Sequence, residues 1–144
     1  MPVYWTIDSQ ARLILARAEG EVSLDDALTL LEAISGAQAM SYRKLFDSRA
    51  GTTSMSPDEM LALCFQVRSY HAQGPMGALA VVATPAQSWL LARLLGALAT
   101  ADRPMKVFES FRQARNWINE QHDVQPHAQE NKAAGVPVKA GVSR

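Results

Sequence analysis

The sequence predicts an α/β domain with a five-stranded mixed sheet, an N-terminal β-hairpin and four helices. Short apolar runs typical of strands alternate along the chain with longer apolar stretches of helical period. Four helix-start signatures support this order, each with Ser or Thr three residues before Asp, Glu or Gln: Ser23/Asp26, Ser56/Glu59, Thr84/Gln87 and Ser110/Gln113. Three of these signatures follow strand-like runs, so the chain alternates strand and helix. Strands joined through a helix by a right-handed crossover are parallel, so we expect a mostly parallel sheet after the hairpin.

The first elements are a hairpin and a surface helix. Runs 3–7 and 13–18 are strand-like, and the Asp-Ser-Gln step at 8–10 favours a turn between them. We expect Gly20 to end the hairpin. Apolar residues then recur at helical spacing, with acidic residues on the other side, which predicts a one-faced helix closed by Gly36.

The rest of the chain continues the alternation and then loses it. An uninterrupted apolar run at 78–83 is typical of a strand covered on both faces. The predicted elements after the first helix are strand 44–47, polar loop 48–55, helix 57–71, strand 78–83, helix 85–99, strand 105–108 and helix 111–121. We therefore predict one domain over 1–121 and, because 122–144 has no apolar period, a flexible tail there.

Composition excludes several classes of function. Lys plus Arg and Asp plus Glu are both 14, so the chain has no net charge with which to attract nucleic acid. Cys64 is the only cysteine, and the sequence has no Cys/His cluster, so we expect no disulfide, no metal and no cofactor. Without a signal-like start or a long uncharged apolar window, we expect no membrane insertion and a cytoplasmic protein.

The end of the domain resembles a known family. The segment 103–118, Arg-Pro-Met-Lys-Val-Phe-Glu-Ser-Phe-Arg-Gln-Ala-Arg-Asn-Trp-Ile, is similar to the C-terminal signature of the SpoIIAA-like proteins, which are small bacterial relatives of the STAS domain and of the CRAL-TRIO lipid-binding fold. The matching positions are Val107, Phe108, Ala114, Trp117 and Ile118. The resemblance covers about 4–121 and implies a STAS-like fold and a regulatory role exerted through protein contact.

The resemblance also marks a candidate regulatory loop at Asp47, Ser48 and Arg49. STAS relatives that antagonise anti-sigma factors carry Asp-Ser-Ser-Gly at a strand end, and the Ser after the Asp is phosphorylated. Here the chain reads Asp-Ser-Arg-Ala-Gly, and an eight-residue step separates Ser48 from the helix start at Ser56. A phosphate on Ser48 is therefore not placed at that helix N-terminus automatically.

The composition of the same loop gives a second interpretation. Hydroxyl side chains over 48–56, with Arg49 beside them at the carboxyl end of a strand, suit an anion site. The alternative is a solvated loop and helix cap.

No residues point to catalysis. Cys64 and His71 lie about 10 Å apart along one helix and form no dyad. Asp47 is the only candidate acid or base, and no nucleophile-elbow, phosphate-loop or zinc-protease motif occurs. We expect a protein that is not an enzyme.

The second and third helices have more apolar surface than one core face requires. The second has a core stripe of Met60, Leu63, Cys64, Val67 and Tyr70, and a further apolar pair, Leu61 and Phe65. Such surface is core, a dimer face or the lining of an apolar pocket. The candidate residues are Leu61, Phe65, Trp89, Leu90 and Arg93.

We favour a homodimer, or another protein partner, at this surface. The alternative is a carrier or sensor of a small apolar or lipid ligand between the two helices, as the CRAL-TRIO kinship implies.

Overall fold

The five strands lie in the sheet in the order in which they occur along the chain. A computed structural model describes residues 2–88 and 104–122. The strands are β1 (Val3–Asp8), β2 (Leu13–Glu21), β3 (Arg43–Thr52), β4 (Leu79–Val82) and β5 (Met105–Phe108), in the order β1-β2-β3-β4-β5. β1 and β2 are antiparallel and all other neighbours are parallel, which confirms the predicted mixed sheet.

The helices occupy both faces of this sheet. They are α1 (Leu24–Gly36), α2 (Pro57–Gln73) and α3 (Phe111–Glu120). Between α2 and α3 a further helix begins at residue 85, and the structure describes its first turn, 85–88. The rest of that predicted helix, 89–99, lies outside the described residues, as does the predicted tail from 123 onward. α1 and α2 follow strands that step in one direction across the sheet, so right-handed crossovers place both on the same face. α3 packs on β3, β4 and β5 from the opposite face.

Each face of the sheet has its own core. Leu13 and Ile14 are neighbours in β2, and because successive strand side chains point to opposite faces they belong to different layers. The layer under α3 contains the buried residues Leu13, Leu45, Ala78, Ala80, Val82, Ala114 and Ile118. The layer under α1 contains Ile14, Ile34, Ala39 and Tyr42. β4 is covered on both faces, as its apolar sequence predicts, because its consecutive residues Ala80, Val81 and Val82 are all buried.

The helix starts form as the signatures predict. Ser23 with Asp26 and Ser56 with Glu59 make complete capping boxes, in which each side chain bonds the other residue's backbone N–H. The Thr84–Gln87 box is also complete, with N–H to oxygen distances of 3.1 and 3.2 Å. At α3 the Ser110 hydroxyl accepts from the Gln113 N–H at 3.3 Å, which is one half of a box.

Two strands are longer than the sequence predicts. The predicted loop 48–55 is wrong over 48–52, where β3 continues, and Gly20 lies inside β2 at φ 76° rather than ending the hairpin. The reason is mutual pairing, since residues 19–21 of β2 pair with 50–52 of β3 and satisfy each other's backbone groups. Arg17 pairs with Asp47 and Glu19 with Ala50, so one residue of β2 faces two of β3 in a β-bulge.

No helix in the described ranges 2–88 and 104–122 has the length and apolar character that crossing a bilayer requires.

The approach of Gly77 to the backbone before β3 gives a test of the fold. A Cβ at Gly77 would lie 2.1 Å from the Tyr42 carbonyl oxygen, whereas a Cβ at Gly36 meets nothing within 4 Å. We expect Gly77→Ala to lower the free energy of unfolding by about 3 kcal/mol, because backbone rather than a flexible side chain must move. The matched control Gly36→Ala should raise it by about 0.5 kcal/mol through helix propensity. Urea denaturation measures both, and equal effects would contradict this packing.

Candidate functional site

Because residues 47–49 lie in a strand, the three predicted loop residues point to two different faces of the sheet. Ser48 lies on the α1/α2 face, beside the helix that begins at 85–88, and lines an apolar cavity. Asp47 and Arg49 lie on the other face, in a polar depression that Arg17 and Glu19 also line. The structure therefore does not gather Asp47, Ser48 and Arg49 into one site.

Asp47 and Arg49 form an ion pair with each other. The Arg49 guanidinium donates two hydrogen bonds to the Asp47 carboxylate, at 3.0 and 2.9 Å, and the Arg49 backbone N–H donates a third at 3.1 Å. The Arg49 hydrogen bonds lower the pKa of Asp47, and partial burial offsets this in part. Asp47 is therefore ionised at neutral pH and poorly suited to proton transfer. Because the carboxylate occupies the Arg49 fork, Arg49 is also a poor anion site.

Gln87 joins the helix at 85–88 to the carboxyl end of β3, beyond the β-bulge. Its side-chain N–H groups donate to the carbonyl oxygens of Ser48 and Gly51, both at 2.9 Å. Its side-chain oxygen accepts from the Thr84 N–H at 3.1 Å and lies 3.2 Å from the Ser48 hydroxyl oxygen. The amide thus uses both donors and its acceptor within the protein.

The Ser48 hydroxyl faces this arrangement rather than solvent. It is partly buried and donates to the Val82 carbonyl oxygen at 2.9 Å, with the Gln87 oxygen at 3.2 Å. A phosphate on Ser48 would bring its negative oxygens against these two acceptors. The helix start that Ser48 contacts is the one at Thr84–Gln87, not that of α2, so modification at Ser48 would require this contact to open.

An apolar cavity lies between α1, α2 and the carboxyl ends of β2 and β3. Its volume is about 300 Å³, the lower end of the range usual for small-molecule sites. None of the described lining residues is charged. The polar ones are Ser48, Thr52, Thr53 and Gln87, and the side chains of Ser48, Thr53 and Gln87 form hydrogen bonds within the protein. The lining residues are Ala18, Val22, Ala27, Phe46, Ser48, Gly51, Thr52, Thr53, Met55, Met60, Leu63 and Gln87.

The two sides of α2 have different surroundings. Met60 and Leu63 line the cavity, and Cys64 is buried, as predicted for a small core residue. Leu61 and Phe65 point the other way and are 66% and 72% exposed. They line neither the cavity nor the core. The other predicted contact residues, Trp89, Leu90 and Arg93, lie outside the described part of the chain.

The sequence pointed to the cavity only indirectly. Gln87 was recognisable as a capping residue, but not as the side chain that holds β3. Gly51 also lacked a distinctive motif, although a Cβ there would lie only 2.6 Å from the Ala18 Cβ. A glycine among hydroxyl residues is as typical of a loop as of two closely approaching strands. The sequence therefore did not indicate the close contact between β2 and β3. Among residues 2–88 and 104–122, no group of three or more acidic, His or Cys side chains could hold a metal ion.

The mixed five-stranded sheet with helices on both faces defines an α/β protein, and its fold is SpoIIAA-like. A solved structure of an uncharacterised protein of the DUF3478 family from Shewanella loihica, described as SpoIIAA-like, is similar to this chain with a TM-score of 0.54. The match covers 81% of this chain and 93% of that one, at 16% sequence identity, and shows the shared fold. No protein-family model matches the chain, and no curated protein matches it significantly.

Replacement of Gln87 by Glu tests its role as the link between the helix and β3. The change keeps the acceptor oxygen but turns the two donors toward Ser48 and Gly51 into a carboxylate oxygen. We expect Gln87→Glu to cost about 2–3 kcal/mol of unfolding free energy at pH 8. Facing two carbonyl oxygens, the new carboxyl group has a raised pKa, so its neutral form prevails as pH falls and the loss relative to wild type shrinks toward pH 4.

The matched control is Gln113→Glu, at the corresponding position of α3, where the side chain is exposed. Negative charge is favourable in a first helical turn, so we expect no loss there. Thermal and urea unfolding at pH 4 and pH 8 measure both variants. A similar effect at the two sites would contradict the role given to Gln87.

Proposed function

We propose that this protein is a non-enzymatic domain that acts through protein–protein contact, with the outer side of α2 as its contact surface. The main supporting observation is that Leu61 and Phe65, one helical turn apart, are 66% and 72% exposed to solvent. Single exposed apolar residues are common, but a large aliphatic and an aromatic side chain side by side on a helix favour an interface. We further propose a homodimer and a cytoplasmic location.

The energy available at this surface supports the proposal. Complete burial of a Leu or Phe side chain contributes about 1.5–3 kcal/mol. Inside one copy, an apolar pair four residues apart on a helix contributes only about 0.2–0.5 kcal/mol. Most of the apolar surface of Leu61 and Phe65 is therefore unused within the fold and becomes useful when another protein covers it.

The double substitution Leu61→Ser/Phe65→Ser tests the surface. Because both side chains are exposed, we expect the variant to keep its fold and to lose self-association, with a dissociation constant at least about a hundredfold weaker. Light scattering after size exclusion, from 5 to 500 µM protein, measures the molar mass. The control is Phe111→Ser, which removes a 38% exposed aromatic residue from α3 and should leave association unchanged. A wild-type protein that is monomeric throughout this range would contradict the homodimer.

A second candidate function is binding of a small uncharged apolar ligand. The cavity under α2 supports it, because its lining is almost entirely apolar and its volume is about 300 Å³. A charged group would be buried there without a partner, which is costly. This site differs from the pocket expected from the sequence, since it lies on the inner side of α2, at Met60 and Leu63, rather than at Leu61 and Phe65.

Binding of 1-octanol and of octanoate distinguishes this second function. We expect octanol to shift the amide NMR signals of Gly51 and Met60, and octanoate to bind at least about tenfold more weakly because its carboxylate lacks a partner. Ala27→Leu adds a larger side chain to the cavity lining and should abolish octanol binding. Ala37→Leu, at an exposed position after α1, should not. Equal binding of octanol to both variants would contradict a site in this cavity.

A further inference from the structure

Charged residues flank the exposed apolar pair on the outer side of α2. Asp58, Leu61, Phe65 and Arg68 follow one another at spacings of three, four and three residues, so they lie in one stripe along the helix. All four are exposed. We call them the α2 stripe. Its order is acid, apolar, apolar, base, over a length of about 15 Å.

The α2 stripe is complementary to itself when one copy is reversed. The midpoint between Leu61 and Phe65 is residue 63, and the midpoint between Asp58 and Arg68 is the same residue. A two-fold axis perpendicular to α2, at the level of residue 63, therefore brings Leu61 against Phe65 of the second copy. The same axis brings Asp58 against Arg68 of the second copy. Each contact occurs twice.

We infer that the partner of the α2 stripe is a second copy of this chain, with its α2 antiparallel and in the register set by residue 63. This rests on the proposed function and specifies its partner and geometry. The apolar residues supply the buried surface, and the two charge pairs fix the direction and the register. The small side chain of Ala62 borders the stripe and favours close approach, and packed helix axes lie about 8–10 Å apart.

Charge distinguishes this arrangement from the parallel one. If the two copies of α2 ran in the same direction, Asp58 would face Asp58 and Arg68 would face Arg68. Like charges placed opposite each other across an interface are unfavourable. The α2 stripe therefore selects the antiparallel orientation even though the apolar pair alone would permit both.

Two charge reversals test this register. In Asp58→Arg both charged positions of the stripe are positive, and in Arg68→Asp both are negative. We expect each variant alone to self-associate at least about tenfold more weakly than wild type, because both pairs repel. An equimolar mixture should form a heterodimer, since both pairs are then opposite in sign. Native mass spectrometry at 20 to 200 µM, with one variant labelled with ¹⁵N, measures homodimers and heterodimers directly.

The controls make the same charge changes away from α2. Glu32→Arg on α1 and Arg112→Asp on α3 reverse exposed charges and should leave self-association unchanged with no preference for the mixed pair. Asp58→Arg/Arg68→Asp in one chain restores both pairs and should dimerise as wild type does. Circular dichroism shows whether each variant folds.

The outcomes separate this inference from the proposed function. A dimer that is lost in Leu61→Ser/Phe65→Ser but is indifferent to both charge reversals would overturn the register while leaving the contact surface in place. A monomeric wild type whose exposed pair binds a different protein would overturn the second copy as partner. A dimer indifferent to all of these changes would overturn both the inference and the contact surface.

Discussion

The carboxyl end of the sheet depends on the side-chain amide of Gln87. A β-bulge disrupts the ladder locally, and here the carbonyl oxygens of Ser48 and Gly51 accept hydrogen bonds from this amide. The amide oxygen completes the cap of the helix that begins at 85–88. One side chain therefore satisfies a helix start and an irregular strand end together. The direction of the Ser48 hydroxyl and one wall of the cavity follow from this connection.

The same strand end determines where α2 lies. β2 and β3 approach closely where Gly51 meets Ala18, and the Thr53 hydroxyl extends their pairing by donating to the Val22 carbonyl oxygen at 2.7 Å. The chain thus leaves the sheet late, and α2 begins only at Pro57. Its inner side is over the cavity, and among the described helices it packs against α1. A helix held in this way buries one side incompletely and exposes the other.

The sequence predicts the parts of this arrangement that have local causes. A capping box uses residues three apart, so the helix starts at Ser23, Ser56 and Thr84 were predictable, as was β4 from its uninterrupted apolar run. The extension of β3 was not, because it needs residues 19–21 of β2, about thirty positions earlier. The contact between Gln87 and Ser48 spans 39 residues, and the cavity results from packing, which has no period. The candidate site was therefore only partly predictable: Ser48 was singled out, but its place in a strand, its contact with Gln87 and the cavity were not predicted.

The α2 stripe combines a common feature of helices with an uncommon one. Acidic residues near a helix start and basic residues toward its end are favoured by the helix dipole, which favours Asp58 and Arg68 at these positions in any helix. The fold of one copy gives no comparable reason for Leu61 and Phe65 between them. Because the dipole gives a helix opposite charges at its two ends, two identical helices are complementary when antiparallel. An exposed apolar pair centred between those charges then turns a general electrostatic preference into a defined contact.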